Sequence, residues 1–212
     1  MDEGSKRRGR RMIIWISGVA TVGKSTVTKS IVSKLKDHYR EISAEGDHGY
    51  KSNSGYKIPF QTYGNTMILG REPRDGQVLN GTDAVYIGVN KFQSFIEYEY
   101  FKWKTIFTPN IIIEGHKYIS KNTMHDFMIN NNIKYKMYYL KVPMEIMDER
   151  SKKRDNGFDR NIRTTNMIEK QLIEYDKVIS KYKSNVEIRS SESWESCENI
   201  ANEIFESLEL II

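Results

Sequence analysis

The sequence predicts a three-layer α/β/α fold, a parallel sheet with helices on both faces. Three observations predict it. Apolar β-type runs alternate with stretches of helical spacing along the chain. One run, Asn110-Ile111-Ile112-Ile113, is continuously apolar after its first residue, as a central parallel strand buried on both faces requires. The first run, Met12-Ile13-Ile14-Trp15-Ile16, passes through a glycine-bounded loop directly into the first helical stretch.

The elements follow in order. After the first strand and loop, Val27, Ile31, Val32 and Leu35 mark the buried stripe of a helix over about 24–37. A short strand is expected near Tyr39–Ser43, then a polar, glycine- and tyrosine-bearing loop from Glu45 to Tyr63. Thr66-Met67-Ile68-Leu69 reads as a strand, and Val85, Val89, Phe92, Phe95, Ile96 and Tyr100 give a helix over about 84–104. After the Asn110–Ile113 strand come a helix near 120–131 and a strand at Tyr135–Val142. Pro143 then opens a helix at its first turn, where a missing N–H costs nothing. A basic segment, 149–163, precedes a helix at 165–182, a strand at Val186-Glu187-Ile188 and an amphipathic helix at 192–208. With no internal repeat and no long linker, the chain reads as one domain, 12–212, behind an N-terminal arm, 1–11.

The loop after the first strand is Gly18-Val19-Ala20-Thr21-Val22-Gly23-Lys24-Ser25, which fits GxxxxGK[ST] at every fixed position, with Thr26 following. Strand, glycine-bounded loop and helix are the context that gives this motif its meaning. The glycines let the backbone wrap a polyphosphate so that successive N–H groups point inward. The helix N-terminus adds partial positive charge, and Lys24 reaches the β- and γ-phosphate oxygens. The Ser25 hydroxyl is placed to bind the bridging Mg²⁺. Gly18, Thr21, Val22, Gly23, Lys24, Ser25 and Thr26 are therefore expected to hold ATP with Mg²⁺.

Composition narrows the remaining classes. The 212 residues, 38% hydrophobic, suffice for one sizeable core, and no stretch approaches the ~20 apolar residues of a membrane span. The single cysteine, Cys197, excludes an internal disulfide and fits a reducing cytoplasm, most simply as a buried thiol on the last helix. The net charge is +5, and Lys6, Arg7, Arg8, Arg10 and Arg11 crowd the N-terminus. That run fits an arm on nucleic-acid phosphates and equally a solvated tail.

In such sheets ligands sit at the carboxyl ends of the strands. Ile111-Ile112-Ile113-Glu114-Gly115 has the form of a second nucleotide motif, and Glu114 joins Ser25 as a candidate metal-site group. Asp47 is a candidate general base, though a solvated loop acid has the same spacing. His48 and His116 lack the spacing of zinc ligands. Arg150, Arg154, Arg160 and Arg163 lie in the basic segment, where a lid over about 149–165 could bring forked cationic donors onto a triphosphate. A solvated helix face is the plainer reading of the same residues.

Taken together, the loop, the acid-ended central strand and the arginine-bearing segment resemble the phosphate-loop kinases of the nucleotide-kinase type. A narrower resemblance lies in Ile68-Leu69-Gly70-Arg71 followed by Gly81-Thr82-Asp83. It is similar to the signature of phage-type kinases that act on hydroxymethylated pyrimidines, such as 5-hydroxymethyluracil, in DNA. The resemblance implies that Gly70, Arg71, Gly81, Thr82 and Asp83 line the acceptor side, with Asp83 a possible base. It also implies the cytoplasm of a host cell if the protein is viral. Two departures are that Glu72-Pro73 follows Arg71 in place of an aromatic, and Ala84 replaces a basic residue after Asp83. Tyr50, Tyr56, Phe60, Tyr63 and Tyr86 are placed to line a pocket for a flipped base, or to fill core. The alternatives are a nucleoside monophosphate or deoxynucleoside kinase acting on free nucleotides, and a non-enzymatic NTP-binding switch.

Overall fold

The computed structural model describes residues 12–39, 47–51, 57–70, 82, 87–102, 110–154, 162–208 and 210. Its centre is set by the most apolar runs. β1 (Ile13–Ser17) and β5 (Asn110–Glu114) are buried at every position, and they pair in parallel with Ile13 beside Ile111 and Ile16 beside Glu114. Strands with no polar alternation can lie only where helices cover both faces.

Around this pair runs a seven-stranded sheet in the order β2-β3-β4-β5-β1-β6-β7. β4 (Thr66–Leu69), β5, β1, β6 (Tyr135–Lys141) and β7 (Val186–Ser190) are mutually parallel. The helices are α1 (Lys24–His38), α2 (Val89–Lys102), α3 (Asn122–Asn130), α4 (Met144–Arg154), α5 (Ile162–Lys181) and α6 (Trp194–Ser207). α1 packs against α6 on one face. On the other, Phe92 of α2 stacks on Tyr118 at 4.1 Å, and Tyr182 beyond α5 stacks on His125 of α3 at 4.4 Å. No helix among the described residues is long and apolar enough to cross a membrane.

One expectation is overturned. The stretch read as loop from Glu45 to Tyr63 contains two strands, β2 (Asp47–Lys51) and β3 (Lys57–Tyr63), paired antiparallel with each other, and β3 is antiparallel to β4. Pro59 hides the pattern, since proline argues against a strand, yet Ile58 and Phe60 on either side are buried with period two. The sheet is thus parallel at its centre and antiparallel at this edge. Phe60 and Tyr63 belong to the core, so neither is available to line a base pocket. The strand expected near Tyr39–Ser43 does not begin at Tyr39, which ends α1, and 40–43 lie outside the described residues.

Candidate functional site

The phosphate loop is held open by backbone conformations that its sequence permits. Gly18 (φ 143°) and Gly23 (φ 96°) lie in the region that L side chains rarely adopt, and Thr21 (φ 65°) joins them. Space forbids a side chain at Gly18 as well, since a Cβ there would lie 2.7 Å from the Leu140 carbonyl oxygen. The loop is anchored from below by α5. The Tyr175 hydroxyl receives the Gly18 N–H at 3.3 Å and is hydrogen-bonded to Ser17 Oγ, which also donates to the Gly115 carbonyl at 2.9 Å.

Inside the loop, the Lys24 ammonium donates to the carbonyls of Gly18 (3.0 Å) and Val19 (2.8 Å), which fixes it over the cradle. The Ser25 hydroxyl donates to Glu114 Oε1 at 2.7 Å, joining the start of α1 to the end of β5. Parallel pairing of β1 with β5 makes this contact possible, because it brings the two carboxyl ends level. The Ser25 hydroxyl and the Glu114 carboxylate are hard oxygen donors, which suits Mg²⁺. That ion uses one or two protein groups beside phosphate oxygens and water.

A cavity of about 680 Å³ opens over the loop. On the Ser25 side its wall is Glu114, His116, Met167 and Gln171, and Gln171 Nε2 donates to His116 Nε2 at 2.9 Å. On the Gly23 side the wall is Arg150, Ser193, Trp194 and Cys197. Arg150 donates to three backbone carbonyls, Thr21 (3.3 Å), Ser191 (2.7 Å) and Glu192 (2.8 Å), tying the phosphate loop to the turn between β7 and α6. Burial pushes the Cys197 thiol up from its ordinary range and the nearby Arg150 partly opposes this, so Cys197 is a buried thiol on the last helix.

Of the expected phosphate-side residues, Thr21, Gly23, Lys24, Ser25, Thr26, Glu114 and Arg150 line the cavity. Val22 is buried beside it, and its carbonyl accepts from the Ser191 hydroxyl. On the acceptor side, Gly70 follows Leu69, which pairs with Ile113, so Gly70 comes level with Glu114. The fully buried Thr82 donates its hydroxyl to the Glu114 carbonyl at 2.9 Å. Arg71, Gly81, Asp83 and Arg160 lie outside the described residues, as do Tyr56 and Tyr86. For Asp47, Tyr50, Arg154 and Arg163 only the backbone is described, on β2, α4 and α5. The arm 1–11 and positions 155–161 of the lid also lie outside them.

Four residues on the cavity or its support were not legible in the sequence. Tyr175 lies seven residues from both Ile168 and Tyr182, all three buried, so spacing marks it only as core. Gln171 and Met167 share its helix without a distinguishing pattern. Trp194 continues the buried stripe of Cys197, Ala201 and Ile204 but is 69% exposed, because the stripe runs past the end of the core.

No protein-family profile matches the chain, and no curated protein matches it in sequence. Among solved structures, it is similar to the tunicamycin resistance protein of Deinococcus radiodurans, at a TM-score of 0.50 and 13% identity over 96% of this chain and 99% of that one. A gluconokinase from Sinorhizobium meliloti aligns at a TM-score of 0.41 and 12% identity, over 95% and 99% of the two chains. Sheet order and the first of these likenesses agree on the architecture, an α/β fold with a mostly parallel sheet covered by helices.

Proposed function

We propose that the protein is a phosphate-loop kinase that moves the γ-phosphate of ATP onto a hydroxyl, and that the hydroxyl belongs to a 5-hydroxymethylpyrimidine in DNA. The observation that carries the kinase reading is the junction of Lys24, Ser25 and Glu114 at the mouth of a 680 Å³ cavity. A triphosphate takes the Lys24 ammonium away from the loop carbonyls, and loop N–H groups and the α1 terminus balance its charge. Ser25 and Glu114 would hold Mg²⁺, which would supply neutralisation of the charge developing on the β- and γ-oxygens. Arg150 keeps further N–H donors beside its three carbonyl contacts, and Arg154, Arg160 and Arg163 follow it as lid candidates. Asp47 and Asp83 are the candidate bases for the acceptor hydroxyl.

The acceptor assignment rests on the resemblance of Gly70-Arg71 and Gly81-Thr82-Asp83. It is supported by Gly70 and Thr82 lying beside Glu114. The N-terminal basic arm adds a means of holding a polyanion. Labelled ATP offered with hydroxymethyluracil DNA, plain DNA, nucleoside monophosphates and deoxynucleosides tests both levels. Transfer to hydroxymethylated DNA alone is expected. Transfer to free nucleotides with none to DNA gives the acceptor to the monophosphate kinases. ATP binding without transfer to any acceptor leaves only a nucleotide-binding switch.

A further inference from the structure

We propose that Trp194 is the platform on which the donor's nucleobase stacks, and that the donor site discriminates little between purines. The inference rests on the reading of the cavity as a triphosphate site and concerns the end of that site remote from the reacting phosphate.

The two walls differ in chemistry. The Ser25 and Glu114 side is polar and carries the oxygens suited to a metal ion. A triphosphate whose terminal phosphates lie there extends its sugar and base toward the opposite wall. A Cβ on Gly23 would stand 3.1 Å from Cys197 Sγ and 3.7 Å from Arg150 Nη1, so that wall begins directly behind the loop. Farther out on the same wall is Trp194, 69% exposed although it lines the cavity. A tryptophan left this open forgoes burial that its large apolar ring would otherwise gain. A planar base laid on it restores that burial.

Base identity, by contrast, is read through hydrogen bonds to ring edges, and among the described residues four polar groups of this wall are already engaged. The Ser191 and Glu192 carbonyls accept from Arg150, and the Ser191 hydroxyl donates to the Val22 carbonyl. The Ser193 hydroxyl accepts the Ser196 N–H as the cap of α6. Stacking is indifferent to which base is present, because every base has a π-face. A site that reads polar edges can reject the wrong partner by on the order of 10⁴-fold, since its buried groups are then left unpaired. A site that only stacks cannot.

The test is calorimetric titration of the full chain with ATP, GTP and inorganic tripolyphosphate, each with Mg²⁺, for the wild type, Trp194→Ala and Trp194→Phe. ATP and GTP should bind the wild type within about fivefold of each other. Trp194→Ala should weaken both by roughly 5- to 150-fold, the range of one base–aromatic stack. Trp194→Phe should recover most of the loss, and tripolyphosphate should bind all three proteins alike. An ATP preference on the order of 100-fold overturns the proposal, as does wild-type binding by Trp194→Ala. Equal weakening of tripolyphosphate overturns it too, since the damage then lies in the loop. Binding of ATP and GTP that depends on Trp194, without transfer to any acceptor, supports the stacking inference while removing the kinase reading.

Discussion

Acid should destabilise this protein through a buried histidine, beginning as the pH falls below about 6.5. His125 is fully buried on α3. Its Nε2–H donates to the Ile119 carbonyl at 2.7 Å, so Nδ1 accepts the Tyr135 hydroxyl at 2.8 Å, and the ring stacks on Tyr182 at 4.4 Å. Both nitrogens are satisfied in the neutral form. Burial holds the imidazole down at about 4, from an ordinary 6.5. Asp126 favours the charged form and Lys181 disfavours it, so these two neighbours partly cancel. Tyr182 and Lys181 also engage Asp126 directly, at 2.6 and 3.2 Å.

The sign follows from which state binds the proton. Between pH 6.5 and about 4 the unfolded chain protonates this residue and the folded chain does not, so stability falls as pH falls through that window. At 1.36 kcal/mol per pKa unit the gap amounts to about 3 kcal/mol, a large share of a typical domain's 5–15 kcal/mol. Urea midpoints of the wild type and of His125→Gln, taken from pH 7.5 to 4, check it. The variant starts less stable, because it loses the stack, but its stability should fall more gently with acid. The two curves should converge as pH drops toward 4. Asp126 and Glu203 have depressed pKa values, so their contributions are lost only toward the acid end, in both proteins. A gap between the curves that stays constant over the window would refute the reasoning.

Further expectations concern the loop and its supports. Lys24→Ala should leave the fold intact, with only a small fall in melting temperature from its two lost carbonyl contacts, and cost on the order of 3 kcal/mol or more in transition-state stabilisation, read as kcat/KM for phosphoryl transfer. Tyr175→Phe leaves the buried Gly18 N–H without its acceptor, and should lower stability by about 1–3 kcal/mol in urea unfolding. Gly23→Ala forces φ 96° on a residue with a Cβ, and should cost about 1–3 kcal/mol by the same assay along with much of the ATP affinity. Arg150→Ala should lower both turnover and melting temperature, because the guanidinium also ties Thr21 to Ser191 and Glu192; a fall in turnover alone would show that these ties add nothing to stability.

How much of this was legible follows from which physical signals are local. The loop, β1, β5 and the junction of Ser25 with Glu114 could be anticipated, because a GxxxxGK[ST] loop and an apolar strand ending in an acid are local patterns that parallel pairing brings level. The β2–β3 hairpin was not, because Pro59 and the polar residues around it mask a period-two strand that only pairing with β4 reveals. Trp194 was hidden for the opposite reason. Its spacing with Cys197 and Ala201 is that of core, and only the point at which the sheet stops covering α6 separates a core tryptophan from one standing at a cavity mouth. Arg150 joins the two cases. Sequence marks it as a cation in a basic run, and both a lid and a solvated face fit that description. Its three carbonyl contacts instead place it as a brace between the phosphate loop and the turn before α6, an arrangement set by residues 41, 42 and 129 positions away in sequence and by none of its neighbours. Periodicity therefore tells which residues are buried, whereas what a polar or aromatic group does at the cavity depends on where the layers end. For that reason the acceptor side, which joins β4, Thr82 and the end of β5, is where substitution and transfer assays have the most to decide.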